Sequence, residues 1–82
     1  MVTCQFSLYP LREPNLGPAL DQAMEGVRST GLTPQVGSMS TYIQGDEDAV
    51  FEALKRAFRN AAEKGELVLV VTVSNACRVP SP

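Results

Sequence analysis

Cys4-Gln5-Phe6-Ser7-Leu8-Tyr9, closed by Pro10, alternates without a break. Val2, Cys4, Phe6 and Leu8 point one way; Thr3, Gln5, Ser7 and Tyr9 point the other. Side chains on a strand change face at every residue, so the stretch reads as a strand with one apolar and one polar face. The polar face offers hydroxyls, an amide and a phenol but no charge. A ligand is to be sought there, and a helical layer must cover the other face.

Working outward, Pro10-Leu11-Arg12-Glu13-Pro14-Asn15 is a loop by its prolines and Asn. Pro18 suits a first helical turn, where its missing N–H costs nothing. Leu20, Ala23, Met24 and Val27 then fall on one stripe, and Gly31 fits a helix stop. The spacing predicts a helix from about Gly17 to Thr30. Pro34, Gly37, Gly45 and the β-formers Val36, Thr41, Tyr42 and Ile43 argue against a helix in the next stretch. A short edge strand, Gln35 to Val36, is expected, then a tight turn near Gly37-Ser38 and a strand from Met39 to Gln44. Met39, Thr41 and Ile43 share one face of it; Ser40, Tyr42 and Gln44 share the other.

Asp46 is a good N-cap, and Glu47 and Asp48 follow where the helix dipole favours negative charge. Val50, Leu54, Ala57, Phe58 and Ala61 mark an apolar stripe, and Gly65 closes it, giving a helix from about Glu47 to Lys64. Glu66 to Ala76 is the last strand. Leu67, Leu69, Val71 and Val73 lie on one face; Val68, Val70, Thr72 and Ser74 lie on the other. Both faces begin apolar, which predicts a strand covered on both sides.

The order β-α-β-β-α-β predicts an α+β, ferredoxin-like sandwich. Right-handed crossovers put both helices on one face of a four-stranded antiparallel sheet, in the order fourth, first, third, second. The helices should cover Cys4, Phe6, Leu8, Met39, Ile43, Leu69, Val71 and Val73. One domain over residues 1–77 and a frayed tail over 78–82, with its two prolines, complete the expectation.

The 82 residues hold seven basic and nine acidic side chains and no His. Nucleic acid needs clustered Lys and Arg, and these are scattered. Zinc and copper sites lack their commonest ligand, and Asp46, Glu47 and Asp48 read as a cap, so no metal and no cofactor is expected. The longest apolar run, Leu67 to Val73, is far short of the roughly 18 residues that cross a bilayer. No signal peptide is read, and a cytoplasmic location is expected. Cys4 reads as a buried apolar residue, with no base to activate it. Cys77 follows the last strand, which runs back along the first, so it could end near Cys4. Both thiols are expected to be reduced.

Cys4-Gln5-Phe6-Ser7-Leu8-Tyr9-Pro10-Leu11 and Val36-Gly37-Ser38-Met39-Ser40-Thr41-Tyr42-Ile43-Gln44-Gly45, the second leading into an acidic helix start, resemble the YkoF-like thiamine/hydroxymethylpyrimidine-binding family. The order of elements is similar from Val2 to about Ala76. The resemblance implies a ferredoxin-like fold, an assembly in which open sheet faces meet, and binding of thiamine or its pyrimidine moiety without chemistry. Some family members carry two such domains. A chain with one should form the equivalent pair by self-association, as a dimer or tetramer.

The expected ligand-binding residues are Gln5, Ser7, Tyr9, Ser40, Tyr42, Thr72, Ser74 and Asn75, with Ser38 and Met39 at the rim. Ser, Thr, Gln and Asn can match the two ring acceptors and one amino donor of an aminopyrimidine. Tyr9 and Tyr42 suit ring stacking and subunit contact alike. No acid/base pair or activated nucleophile stands on this face, so no enzyme is expected. The alternative is an oligomerisation or regulatory module with no thiamine ligand.

Overall fold

The computed structural model describes residues 1–76. Its elements are β1 (Val2–Pro10), α1 (Gly17–Arg28), β2 (Gln35–Val36), β3 (Thr41–Gly45), α2 (Glu47–Ala62) and β4 (Leu67–Ser74). The four strands form one antiparallel sheet in the order β2-β3-β1-β4, with β1 and β3 at its centre. This is the ferredoxin-like arrangement expected. Residues 78–82 and Cys77, with its suggested approach to Cys4, lie outside the described residues.

The alternation of β1 decides the layering. Cys4, Phe6 and Leu8 are buried, whereas Gln5 and Tyr9 are exposed. Cys4, Phe6, Leu8 and Ile43 share one core with Ala19, Ala23, Met24 and Val27 of α1 and Val50, Ala53, Leu54, Ala57 and Ala61 of α2. Both helices therefore cover the same face. Their starts differ in chemistry. Asp46 caps α2 by accepting from the Ala49 N–H at 2.9 Å, and Glu47 and Asp48 fill its first turn. α1 has no side-chain cap at Leu16; Asn15 Oδ1 instead accepts from the Gly17 N–H at 3.0 Å. Gly31, past the end of α1, takes a φ of 89°, a left-handed conformation that glycine adopts at no steric cost.

The helices lie very close where Gly26 faces α2. A Cβ there would stand 2.7 Å from the Arg56 carbonyl atoms. Arg56 Nη1 donates to Ser29 O and Ser29 Oγ at 3.1 and 3.0 Å, and Asn60 Nδ2 donates to Gln22 O at 3.2 Å.

Three expectations are corrected. The third strand begins at Thr41, not Met39, because the Gly37 N–H donates to Ser40 O at 2.9 Å and leaves Ser38 and Met39 at a hairpin tip. Met39 is therefore 87% exposed and not under the helices. Phe58, read into the buried stripe of α2, is exposed, because it lies on the flank of the helix away from α1. Val71 and Val73 are also exposed, although they face the helical side. β4 is the outer strand on its side of the sheet, and among the described residues no strand lies beyond it.

Candidate functional site

β1 runs nine residues but β3 only five. Their ladder runs from Val2↔Gly45 to Phe6↔Thr41 and stops. On its other flank β1 stays paired with β4 as far as Pro10↔Leu67. The stretch Ser7–Pro10 therefore has no strand beside it on the β3 flank. A cleft of about 440 Å³ opens there, walled by β1, by the Val36–Thr41 hairpin and by Leu16 and Leu20 at the start of α1. Its volume lies in the range of roughly 300–1,000 Å³ usual for small-molecule sites.

The cleft has an apolar floor and a polar mouth. Buried Phe6 and Leu8 and half-buried Leu20 supply the floor, and the exposed Leu16 and Val36 extend the apolar lining outward. Ser7, Ser38, Ser40 and Thr41 supply hydroxyls, and Tyr9 a half-exposed ring. Ser7 Oγ donates to Met39 O at 3.0 Å and ties the hairpin tip to β1 across the opening. No carboxylate, amine or guanidinium lines the cleft among the described residues. Hydroxyls can each donate and accept, so such a lining suits a neutral planar ring with mixed donors and acceptors.

Of the residues expected from sequence, Ser7, Tyr9, Ser38, Met39 and Ser40 meet at this cleft. Gln5 lies between Tyr42 and Thr72 in one row across β3, β1 and β4, on the open face and outside the cleft lining. Ser74 is opposite Thr3, and its Oγ accepts from the Ala76 N–H at 3.0 Å; Asn75 follows it in an exposed bend. Leu16, Leu20 and Thr41 were not named as site residues from sequence. Leu20 was read only as part of the α1 stripe and does pack against the core; Leu16 stands one turn before it.

Elsewhere, a second cavity of about 260 Å³ lies beside the end of α2, with Glu13, Asn15, Lys64 and Glu66 on its rim. Arg12 pairs with Glu66 nearby, both well exposed. Cys4 is fully buried, and desolvation pushes its thiol up to about 11. Among the described residues no group of three His, Cys, Asp or Glu could hold a metal ion. No described helix is long and apolar enough to cross a membrane.

The profile of the family described as "YKOF-related Family" matches residues 1–81. A Bacillus subtilis (strain 168) protein named "Putative HMP/thiamine-binding protein YkoF" is 30% identical over 78 residues. The match covers 95% of this chain but 38% of that relative, so the chain spans about two-fifths of its length. A Bacillus cereus structure described as a domain of unknown function, DUF77, superposes with a TM-score of 0.75 at 25% identity, covering 89% of this chain and 73% of the other. A Thermotoga maritima structure titled as a "putative thiamine biosynthesis/salvage protein" does so with a TM-score of 0.76 at 24% identity, covering 88% and 80%. At that identity the second likeness concerns the fold.

Proposed function

The chain belongs to the YKOF-related family, and from that premise we propose that it is a non-catalytic binder of hydroxymethylpyrimidine or of the pyrimidine end of thiamine. The observation that carries this reading is the uncharged, hydroxyl-mouthed cleft left where β3 stops short of β1. The aminopyrimidine ring enters between Tyr9 and the hairpin, with Ser7, Ser38 and Ser40 matching its ring nitrogens and amino group. The apolar floor takes the methyl edge. A ring held this way loses little by leaving water, since its polar atoms are paired again. A thiazolium, being cationic, finds no carboxylate in the described lining and stays toward the exposed Tyr9 ring. Chemistry is not part of the proposal, because among the described residues neither a carboxylate, an amine nor a thiol lines the cleft.

The open face completes the reading. Tyr9, Tyr42, Val68 and Val70 are exposed there, around the uncharged Gln5 and Thr72. Another copy of the chain laid on this face would cover them, giving a homo-oligomer whose ligand sites lie at the rim. Titration calorimetry with hydroxymethylpyrimidine and thiamine tests the binding. Ser40→Ala should weaken pyrimidine binding by about 1–2 kcal/mol, one hydrogen bond, with an unchanged melting temperature. Glu63→Ala, at the exposed end of α2, should change nothing. No heat with either compound up to millimolar ligand would leave only the oligomerisation module.

A further inference from the structure

Resting on the pyrimidine reading of the cleft, we propose that the backbone of Leu8 is its recognition edge: the Leu8 N–H and C=O, side by side, take the ring nitrogen and the neighbouring amino group of the ligand. This fixes which edge of the ring enters. It also names the class the cleft takes, planar heterocycles with an amino group beside a ring nitrogen.

The direction of the Leu8 backbone follows from two hydrogen bonds just outside the ladders. In an antiparallel pair a residue sends its N–H and C=O to one side, and its neighbours send theirs to the other. The Leu11 N–H donates to Glu66 O at 2.9 Å, one step past the Pro10↔Leu67 pair. Leu11 therefore turns toward β4, and so do Tyr9 and Ser7. Phe6 and Leu8 turn the other way, to the β3 flank. The hairpin gives the same phase independently. The Gly37 N–H donates to Ser40 O at 2.9 Å, one step past Val36↔Thr41. Ser40 and Tyr42 thus turn toward β2, and Thr41 turns toward β1, where it meets Phe6.

Phe6↔Thr41 is the last pair of the β1–β3 ladder. The same register carried on would set Leu8 opposite Met39. Met39 lies instead in the hairpin tip, before β3 begins, and its carbonyl accepts from Ser7 Oγ at 3.0 Å. Among the described residues no strand residue therefore stands opposite Leu8 on this flank, and Leu8 lines the cleft there. Its two polar backbone groups are held in place. Ser7 and Tyr9 on either side of it are paired with β4, and its own side chain is 7% exposed, in the core.

The interrupted ladder defines the ligand. Two strand residues that face each other exchange both bonds, each giving one N–H and accepting one. An aminopyrimidine offers the same pair along one edge, an amino N–H that donates and a ring nitrogen that accepts. The ring thus stands where Met39 would stand if β3 ran on. Its second amino hydrogen and its far ring nitrogen are left for the hydroxyls of Ser38 and Ser40 at the mouth. A ring without the amino group leaves the Leu8 carbonyl unmatched, and sites built on hydrogen bonds reject such analogues strongly.

The test is amide exchange and proton–nitrogen correlation spectra of the full chain, without ligand and with hydroxymethylpyrimidine, together with calorimetry. Without ligand, the amides of Phe6, Ser7 and Tyr9 should exchange slowly, and that of Leu8 about tenfold faster or more, one hydrogen bond's worth. Saturating hydroxymethylpyrimidine should move the Leu8 amide proton downfield and slow its exchange. The same ring without its amino group should bind about tenfold more weakly or worse, and so should hydroxymethylpyrimidine to Leu8→Pro, which removes the N–H and no ladder bond. A slow Leu8 amide in the ligand-free chain overturns the proposal, because the edge is then already occupied. Binding of hydroxymethylpyrimidine that leaves the Leu8 amide unmoved also overturns it, while the wider reading of the cleft stands. No binding of hydroxymethylpyrimidine or thiamine removes both. If circular dichroism shows that Leu8→Pro fails to fold, the wild-type spectra decide.

Discussion

Gly26→Ala should destabilise this protein, although the same change in an ordinary helix stabilises it. In a helix interior Ala is better than Gly by roughly 0.5–1 kcal/mol. At Gly26 the added Cβ would stand 2.7 Å from the carbonyl carbon and oxygen of Arg56 and 2.8 Å from Ala57 N. All three are backbone atoms, so no rotamer change can clear them, and α1 and α2 must part. Overpacking of this kind costs typically about 1–3 kcal/mol. The helix pair also carries the Arg56–Ser29 and Asn60–Gln22 hydrogen bonds, which lengthen as the helices separate. Against the propensity gain the net loss is about 1–2 kcal/mol, or a fall of ~4–16 °C in melting temperature for a domain of this size. Thermal denaturation followed by circular dichroism measures it. Arg56→Ala supplies the control: it removes the side-chain bonds but not the backbone contact, so Gly26→Ala should remain destabilising in that background. An unchanged or raised melting temperature for Gly26→Ala would refute the close approach of the helices.

Asp46→Ala should cost about 1 kcal/mol in urea unfolding, because the Ala49 N–H loses its acceptor at 2.9 Å. Native Cys4 should react with Ellman's reagent only as fast as the chain opens, since the thiol is fully buried; rapid labelling of Cys4 would contradict the burial. Burial raises its pKa from 9.0 to about 11, so the folded chain keeps a proton that the unfolded chain releases. That contribution to stability is complete below pH 9.0 and is lost as the pH climbs toward about 11. Cys4→Ala should show a shallower decline over the same window, and an identical decline would remove the thiol from the account.

The fold was legible because its signals agree with one another. β1 alternates, Asp46 caps α2, and Gly31 and Gly65 stop the helices with positive φ. What misled was density of apolar residues. Val71 and Val73 look like covered positions, yet strand order puts them at an edge, and sequence does not say whether cover comes from the same chain or another. Met39 failed for a different reason. Two-residue periodicity carries it inward from Thr41 and Ile43, but one hydrogen bond, from Gly37 N–H to Ser40 O, turns the chain first and throws Met39 outward. The candidate site was half legible. Ser7, Tyr9, Ser38, Met39 and Ser40 were named from type and face, but the cleft that joins them is a difference in strand length, five residues against nine. Such a difference is set by where a ladder ends, which no single residue announces.

That difference also makes the cleft depend on a strand outside it. From Ser7 to Pro10, the only described strand paired with β1 is β4, through Ser7↔Val70, Leu8↔Leu69, Tyr9↔Val68 and Pro10↔Leu67. Its other flank is the cleft wall, tied across the opening by the Ser7 Oγ to Met39 O bond. The rigidity of that wall therefore depends on β4, the outer strand on its side of the sheet. Strands held by fewer contacts open locally at lower free energy. Binding then need not share a single atom with β4 to depend on it. Hydroxymethylpyrimidine affinity in Val70→Gly, opposite Ser7, should fall although no residue of the cleft lining has changed, and the fall should track the loss of β4 amide protection. A variant that loses β4 amide protection yet binds with wild-type affinity would leave the cleft rigid on its own account.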